Sequence, residues 1–241
     1  IFSTILNYMC GNAIIAGGAR NARRWMMAGV GLNLGLLGLY KYSNFFRGTA
    51  EQLAALMGYE AHLPLLQLIL PVGISFYTFQ ALTYLVDLYR GNGIRAKSFL
   101  DFALFQAYFP QILIGPICRS RDLLPQLEAP PPKKIPDVSR AALLIFSGLF
   151  KKIIIASLLF EHGVSDTFSS PVDFSAIGLW GAMIGYTIQL YCDFSGYTDM
   201  ARGFSLLLGI HLPENFRSPY VATNLGDFWQ KWHITFSQWL R

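Results

Sequence analysis

Long runs without a charged residue constrain the fold of this chain more than any other feature. The longest extends from Pro64 to Val86 and exceeds the ~20 residues that a helix needs to cross a ~30 Å hydrocarbon core. Charged residues make up only 14% of the chain, whereas an ordinary soluble domain has about 25%. Because backbone polar groups inside a membrane must be satisfied internally, such runs form helices. The sequence therefore predicts an all-α, polytopic membrane protein.

The apolar runs divide the chain into a series of predicted helices. A proline-rich linker is expected at Gln126–Pro136, because its proline cluster forbids helix. Both ends of the chain fall inside apolar or helical sequence, so we expect one membrane-embedded domain, 1–241, truncated at both ends. The predicted apolar helices lie near 1–16, 25–46, 64–89, 98–117, 139–160 and 174–196, followed by a shorter apolar piece at 200–210 and an amphipathic helix at 224–241.

Basic residues between the helices predict their orientation. Arg20, Arg23 and Arg24 indicate that the first loop is cytoplasmic, and the loops after 64–89 and at 118–140 are also basic. Two successive cytoplasmic loops mean that 98–117 does not cross, so we expect a re-entrant or in-plane segment beside a cavity. The net charge of +5 is explained by this orientation and not by nucleic-acid binding.

Two lysines and two prolines interrupt the apolar runs on which this predicted orientation is based. Lys151 and Lys152 fall within 139–160, and we interpret them as snorkelling to the interface before a span that starts later. Pro110 and Pro116 interrupt 98–117 and account for its break.

Polar residues follow the helix predicted at 174–196. Asp193, Ser195 and Asp199 can cap a helix that begins near Tyr197, or cross-link helices, or transfer protons. Capping and cross-linking are the favoured roles. Arg217 follows Asn215 in a turn, where it could bind phosphate, hold a carboxylate or serve only as an orienting charge.

His233 is the candidate catalytic residue. On a helix over 224–241 it lies at the edge of an apolar face that includes Trp229 and Trp232, where partial desolvation favours the neutral imidazole. A neutral imidazole suits a general base or a hydrogen-bond partner, although an interfacial histidine can also serve only to anchor. The other histidines and the cysteines have no partner at metal-ligand spacing, so no metal site is predicted.

Five segments together resemble the membrane-bound O-acyltransferase family, in its bacterial branch that O-acetylates alginate and other polysaccharides. The similarity runs through essentially the whole chain and is most specific from Asp193 to Arg241. The segments are PVGISFYTFQ at Pro71–Gln80, FPQILIGPICR at Phe109–Arg119, DFSGYTDMA at Asp193–Ala201, NFRSPY at Asn215–Tyr220 and FWQKWHITFSQWLR at Phe228–Arg241.

The resemblance implies an enzyme of the bacterial inner membrane that passes an acyl group, expected to be acetyl, from a cytoplasmic donor towards an exported polysaccharide such as alginate. No cofactor is expected to be bound, and the donor would be acetyl-CoA or a carrier thioester. A periplasmic acetyltransferase is an expected partner. His233 matches the first of two family histidines, and the second, usually assigned to catalysis, would lie beyond this chain. The expected supporting residues are Asp193, Ser195, Asp199, Asn215, Arg217, Trp229, Trp232 and Arg119.

Three other functions stay open from the sequence. Broken helices and intramembrane charges are also typical of transporters and channels. The second is D-alanyl transfer to teichoic acid, which is also an acyl transfer and belongs to a more distantly similar membrane protein. A non-catalytic membrane scaffold for a periplasmic enzyme is the third.

Overall fold

All regular structure is helical in the residues that the computed structural model describes, which are 1–59, 68, 71–130 and 137–240. The all-α prediction is therefore confirmed. The chain divides into two compact units, Ile1–Ala107 with Arg119–Leu124, and Tyr108–Cys118 with Pro125–Arg241. The expectation of one membrane-embedded domain over 1–241 stays a prediction.

The described part of the first unit contains helices α1 to α4 and the start of a further helix at Ser120. Helices α1, α2 and α3 pack against one another, and α4 packs on α1 and α3. The arginines predicted to lie in a loop, Arg20 and Arg23 among them, belong to the first turns of α2. Residues 60–67, 69 and 70, which include the start of the helix predicted at 64–89, lie outside the described residues. The bounds are α1 Phe2–Ala16, α2 Ala19–Leu56, α3 Ile74–Tyr89 and α4 Phe99–Gln106.

A reciprocal pair of buried amides joins α1 to α2. Asn7 Nδ2 donates to Asn33 Oδ1 at 3.1 Å, and Asn33 Nδ2 donates to Asn7 Oδ1 at 2.6 Å. Asn33 Nδ2 also donates to the carbonyl oxygen of Gly29 at 2.7 Å. Amide pairs between helices satisfy groups that would be costly to leave unpaired in an apolar interior. The pair therefore fixes how α1 and α2 face each other.

An ion pair closes the end of α3. Arg119 Nη1 lies 2.6 Å from Oδ1 of the buried Asp87. Nearby, the ring of Tyr84 packs at 4.7 Å from that of Phe102, and the Tyr84 hydroxyl accepts a hydrogen bond from the Ala96 amide at 3.3 Å. Arg119 thus holds together the first unit.

The segment predicted to be broken is broken. Helix α4 begins with a capping box between Ser98 and Asp101 and ends at Gln106, and residues 107–118 contain turns but no helix. The prolines at 110 and 116 have no N–H with which to continue the helix. Whether 98–117 stays on one side of a membrane remains a prediction.

Helix α5, Ser120–Glu128, was not predicted, because the basic residues of 118–140 indicated a loop. The proline-rich linker predicted at Gln126–Pro136 overlaps the last turn of this helix, and its residues 131–136 lie outside the described residues. Pro125 lies inside α5.

One continuous helix, Val138–Ser169, dominates the second unit and has a mean hydropathy of 2.1 over its most apolar window. Within the described ranges it alone is long and apolar enough to cross a membrane by length and composition. The helix runs through Lys151 and Lys152, and whether a membrane span begins after them stays a prediction. The helix consists of α6 Val138–Leu149, α7 Ser157–Leu159 and α8 Ser165–Ser169, joined by π-helical segments Phe150–Ala156 and Phe160–Val164.

Helix α9, Ala176–Leu207, is uninterrupted, so the helix end predicted at 196 is wrong, and most of the apolar piece at 200–210 belongs to the same helix. The Oγ of Ser175 caps it by accepting from the Gly178 amide at 3.2 Å. Asp193 and Ser195 lie inside α9, which means that their predicted capping of a helix near Tyr197 is wrong as well. A helix can keep such residues in its interior when other groups satisfy them.

The amphipathic helix predicted at 224–241 is wrong as one element. The structure has α10, Leu225–Lys231, and α11, Ile234–Trp239, separated by Trp232 and His233. A 3-10 turn, Pro219–Val221, precedes α10. The apolar face drawn on a single helical wheel is therefore divided between two short helices.

Glycines let the backbones of α6 and α9 approach closely. A methyl group added at Gly196 would lie 2.7 Å from the Gly148 carbonyl oxygen and 3.1 Å from the Lys152 amide nitrogen. At Gly203 it would lie 2.8 Å from the Ala141 carbonyl oxygen. Small residues commonly permit this kind of contact between membrane helices.

Gly196→Ala should lower the stability of the second unit by about 1–3 kcal/mol, because the methyl group meets backbone atoms of the neighbouring helix that cannot move aside cheaply. Gly181→Ala, on the same helix, is the matched control. A methyl group there meets no atom within 4 Å, so that change should be neutral or mildly stabilising. Thermal unfolding in detergent measures both, and equal midpoints for the two variants would contradict the close contact.

Candidate active site around His233

His233 occupies the break between α10 and α11 with a left-handed backbone, φ 41° and ψ 56°. A residue with a side chain adopts this conformation at a cost of roughly 1 kcal/mol or more. Such a conformation persists only where the surroundings enforce it, and it is frequent at functional sites. The contacts that enforce it at His233 come from the segment that begins at Asn215.

Backbone hydrogen bonds align residues 215–217 with the break. The Arg217 amide donates to the Lys231 carbonyl oxygen at 3.0 Å, and the Ile234 amide donates to the Asn215 carbonyl oxygen at 3.0 Å. These two bonds flank Trp232 and His233 on either side. The break is therefore held at both of its ends by the same segment.

Side chains reinforce this alignment. The Asn215 Oδ1 accepts from the Thr235 amide at 3.2 Å and from the Thr235 hydroxyl at 2.6 Å. The same hydroxyl oxygen accepts from the Ile117 amide at 3.0 Å. Thr235 thus ties the end of the broken 98–117 segment to the residues around His233. Ile117, at the end of 98–117, therefore lies beside the residues around His233.

Aromatic rings enclose the imidazole of His233. Its ring centroid lies 4.8 Å from that of Phe194, edge to face, and 5.1 Å from that of Phe236, stacked. Its Nε2 atom is buried and has no hydrogen-bond partner among the described residues. This burial lowers the pKa of His233 from 6.5 to about 4. The imidazole is therefore neutral at pH 7, as the sequence predicted, with one ring nitrogen buried and unsatisfied.

Trp232 packs into a second aromatic cluster beside the break. Its ring lies 5.0 Å from Phe216, 5.6 Å from Phe228 and 6.1 Å from Tyr220. Trp229 contacts Phe228 at 5.4 Å but leaves 47% of its surface exposed. Trp232 therefore packs inside an aromatic cluster beside the break, and Trp229 lies on the surface of α10.

A chain of alternating charges reaches the same segment from the Val138–Ser169 helix. Lys151 Nζ lies 2.7 Å from Asp199, and Arg202 bridges Asp199 at 3.7 Å to Glu214 at 3.3 Å. Arg217 lies 3.2 Å from Glu214 on its other oxygen. The predicted cross-linking role of Asp199 is confirmed, and Arg217 holds a carboxylate, one of the roles left open.

A second lysine–aspartate pair, Lys152 with Asp193, joins the same two helices. The lysines that were interpreted as snorkelling are thus the partners of the α9 aspartates. Ser195 is almost completely buried on α9, and its Oγ has no partner in the described ranges. Arg119, also predicted to support the site, belongs to the first unit, where it pairs with Asp87.

Several residues of this arrangement were missed from the sequence. Thr235, Phe194 and Ile117 carried no recognisable signal, because their contacts join segments far apart in the chain. The lysines did carry one. Two adjacent lysines in an apolar run and two aspartates in another are a pattern that indicates pairing between helices. No three His, Cys, Asp or Glu side chains gather as a metal site in the described part of the chain.

Comparison with known proteins places this site in a family. The family model described as "MBOAT, membrane-bound O-acyltransferase family" matches residues 94–241, which include the whole segment around His233. The chain belongs to the membrane-bound O-acyltransferase family. The match covers more than half of the chain, and it includes both the broken segment and α11.

Several curated relatives are similar to this chain over nearly its full length. It is 37% identical to the probable alginate O-acetylase AlgI of Pseudomonas putida over 99% of the chain and 49% of the relative. It is 38% identical to the peptidoglycan O-acetyltransferase of Helicobacter pylori, over 91% of the chain and 45% of the relative. The teichoic acid D-alanyltransferase of Bacillus subtilis is 30% identical over 76% and 46%. The chain spans about half the length of these relatives.

The neutral state of His233 predicts a pH dependence of stability. Between about pH 6.5 and pH 4 the unfolded chain binds a proton at this residue and the folded chain does not. Stability from this group is therefore complete above pH 6.5 and is lost as the pH falls towards 4. The melting temperature should fall over this window less steeply in His233→Gln than in the wild type. Parallel curves for the two proteins would contradict the assignment.

Breaking the Lys151–Asp199 pair should destabilise the second unit. Lys151→Met leaves Asp199 with Arg202 alone at 3.7 Å, at a cost of about 1–3 kcal/mol because both partners are partly exposed. Lys151→Met with Asp199→Leu removes both charges and should recover most of the loss. Thermal unfolding of the wild type, the single and the double variant measures the coupling. A double variant less stable than Lys151→Met would show that the pair is not the relevant interaction.

Proposed function

We propose that this chain is part of an O-acyltransferase that passes an acyl group, acetyl in the first instance, from a cytoplasmic donor towards an exported polysaccharide. Membership of the acyltransferase family gives the class of reaction. The observation that carries the assignment of the site is the neutral imidazole of His233, with its buried, unpartnered Nε2 on a strained backbone. Polar groups left unsatisfied in this way are retained where they have a use.

The reaction sets what His233 can do. In transfer from a thioester, the hydroxyl oxygen of the acceptor bonds to the acyl carbon, the C–S bond breaks, the hydroxyl proton passes to a base and the thiol leaves protonated. An imidazole with a pKa of about 4 is a weak base at pH 7. It is well suited to accept a hydrogen bond from the attacking hydroxyl. We therefore assign His233 to orienting the acceptor, and the main base to another group of the complete protein.

The supporting residues keep this imidazole in place in the proposal. Asn215 and Trp232 hold the break, whereas Asp193 and Asp199 neutralise lysines on the neighbouring helix. Arg217 takes part through Glu214. Ser195 stays a candidate on α9, and Trp229 and Arg119 have no assigned contact with His233.

The acceptor is proposed from the relatives. Proteins named as probable alginate O-acetylases are about 37% identical to this chain over almost all of its length, so alginate is the first acceptor to test. Teichoic acid D-alanylation is the second candidate, supported by a relative that is 30% identical over 76% of the chain. The two functions differ in the acyl group, acetyl or D-alanyl, and can be separated by the donor that is consumed.

The cellular setting follows from the same proposal. A multi-pass protein of the bacterial inner membrane would meet acetyl-CoA or a carrier thioester on one side and the polysaccharide on the other. The Val138–Ser169 helix supports a membrane location. A periplasmic acetyltransferase partner would complete delivery to the polymer. No bound cofactor is needed for the transfer.

His233→Gln in the complete protein should lower acetylation by about 10²-fold, because a misplaced hydroxyl loses the benefit of orientation. The protein is expressed in a host that makes the polysaccharide but lacks its own acetylase, and acetate released from the polymer by mild base is measured. Protein in the membrane fraction is quantified alongside.

His162→Gln is the matched control, since this imidazole is exposed on the Val138–Ser169 helix, with its Nδ1 3.2 Å from the Leu158 carbonyl oxygen. It should acetylate at the wild-type level. A His233→Gln protein that inserts normally and acetylates like the control would remove His233 from the mechanism. Incorporation of D-alanine in place of acetate would favour the second candidate.

A further inference from the structure

The N-cap residue of helix α11 does not cap the helix with its side chain. The residue before it is His233, whose side chain makes no capping hydrogen bond in the described structure. The N-terminal amides of a helix need acceptors, and Asn, Asp, Ser or Thr normally supplies one from the N-cap position. Helix α10 follows that rule, because the Asn224 Oδ1 accepts from the Asp227 amide at 2.8 Å. Helix α11 does not.

Asn215 supplies the missing acceptor from 20 positions before Thr235. Its Oδ1 takes the Thr235 amide, in the first turn of α11, at 3.2 Å, and the Thr235 hydroxyl at 2.6 Å. Asn215 is only 1% exposed, so these bonds do not compete with water. A residue outside the helix thus does the work of the N-cap.

This arrangement frees the imidazole. An N-cap side chain normally folds back onto the helix, where it would be unable to contact anything else. Because Asn215 satisfies the helix instead, the His233 ring can turn between Phe194 and Phe236, at 4.8 and 5.1 Å. The strained backbone at φ 41° is the geometry that results.

We propose that Asn215, acting through Thr235, is a positioning residue that holds His233 in its left-handed conformation and its ring in the aromatic enclosure. This role rests on the proposed function, since a positioned imidazole matters for transfer only if His233 takes part. The geometry of the hydrogen bonds carries the assignment.

The proposal predicts what happens when the acceptor is removed. In Asn215→Ala the Thr235 amide loses its partner, and His233 can relax to the extended backbone usual at an N-cap. Its ring then leaves the space between Phe194 and Phe236 and becomes hydrated. The titration midpoint of His233 should rise from about 4 towards 6.5, and acyl transfer should fall by about tenfold or more.

The test is NMR titration of the complete protein labelled with ¹³C at the histidine rings, with the His233 signal assigned by its loss in His233→Gln. Asn224→Ala is the matched control, because it removes the same side chain from the N-cap of α10. Both variants lose the side-chain acceptor at the start of one helix. Only Asn215→Ala should move the His233 midpoint and lower acyl transfer.

A second pair of variants keeps the test decisive if Asn215→Ala does not fold. Thr235→Val removes the hydroxyl bonds to Asn215 and Ile117 and should raise the His233 midpoint in the same direction. Thr235→Ser retains the hydroxyl and should restore the wild-type midpoint. Unchanged midpoints in folded Asn215→Ala or in Thr235→Val would overturn the positioning role.

The titration separates this proposal from the proposed function. If His233→Gln transfers acyl groups at the wild-type rate while Asn215→Ala still moves the midpoint, His233 has no part in transfer and Asn215 positions a structural imidazole. If His233→Gln is inactive and the midpoint does not move, the function stands and the positioning role falls.

Discussion

The hydrogen bonds that the Asn215 carboxamide oxygen accepts from Thr235 are the interaction on which the second unit's candidate site depends. They satisfy a backbone amide in the first turn of α11, so the side chain of His233 does not have to cap this helix. Because Asn215 and not His233 accepts from the start of α11, the backbone of His233 can stay strained, its ring can stay enclosed and burial can lower its pKa. Thr235 extends the effect to Ile117, so the broken segment belongs to the same network.

Paired charges explain how polar residues occur in apolar helices. A charge at the centre of a membrane helix costs about 2.5–3.5 kcal/mol on insertion scales, and each lysine of the first π-helical segment meets an aspartate of α9. The close contact of Gly148 with Gly196 brings these helices near enough for the pairs to form. Asp199 then passes the connection through Arg202 and Glu214 to Arg217.

The sequence predicted what depends on local composition and missed what depends on distant partners. Apolar runs located most of the helices, and Pro110 and Pro116 located the break in 98–117. Asp193 and Asp199 were interpreted as a helix boundary because they follow an apolar run. Their lysine partners lie on another helix, so nothing in the local sequence showed that both aspartates could stay inside α9. The pattern around His233 fits a continuous amphipathic helix, and it is Asn215, outside that pattern, that imposes the break. Periodicity within one segment carries no information about an acceptor supplied by another.

The bond from Ile117 to Thr235 spans 118 positions of the chain, which has a consequence for folding. Contacts between such distant positions form late, because a long loop must close before they contribute any free energy. The bond from Ile117 can therefore join the network of Asn215 and Thr235 only once the intervening chain has folded back, and that network holds the His233 conformation. Local opening at residues 117, 215 or 235 would release it again without global unfolding. The candidate site is thus sensitive to partial opening of the second unit.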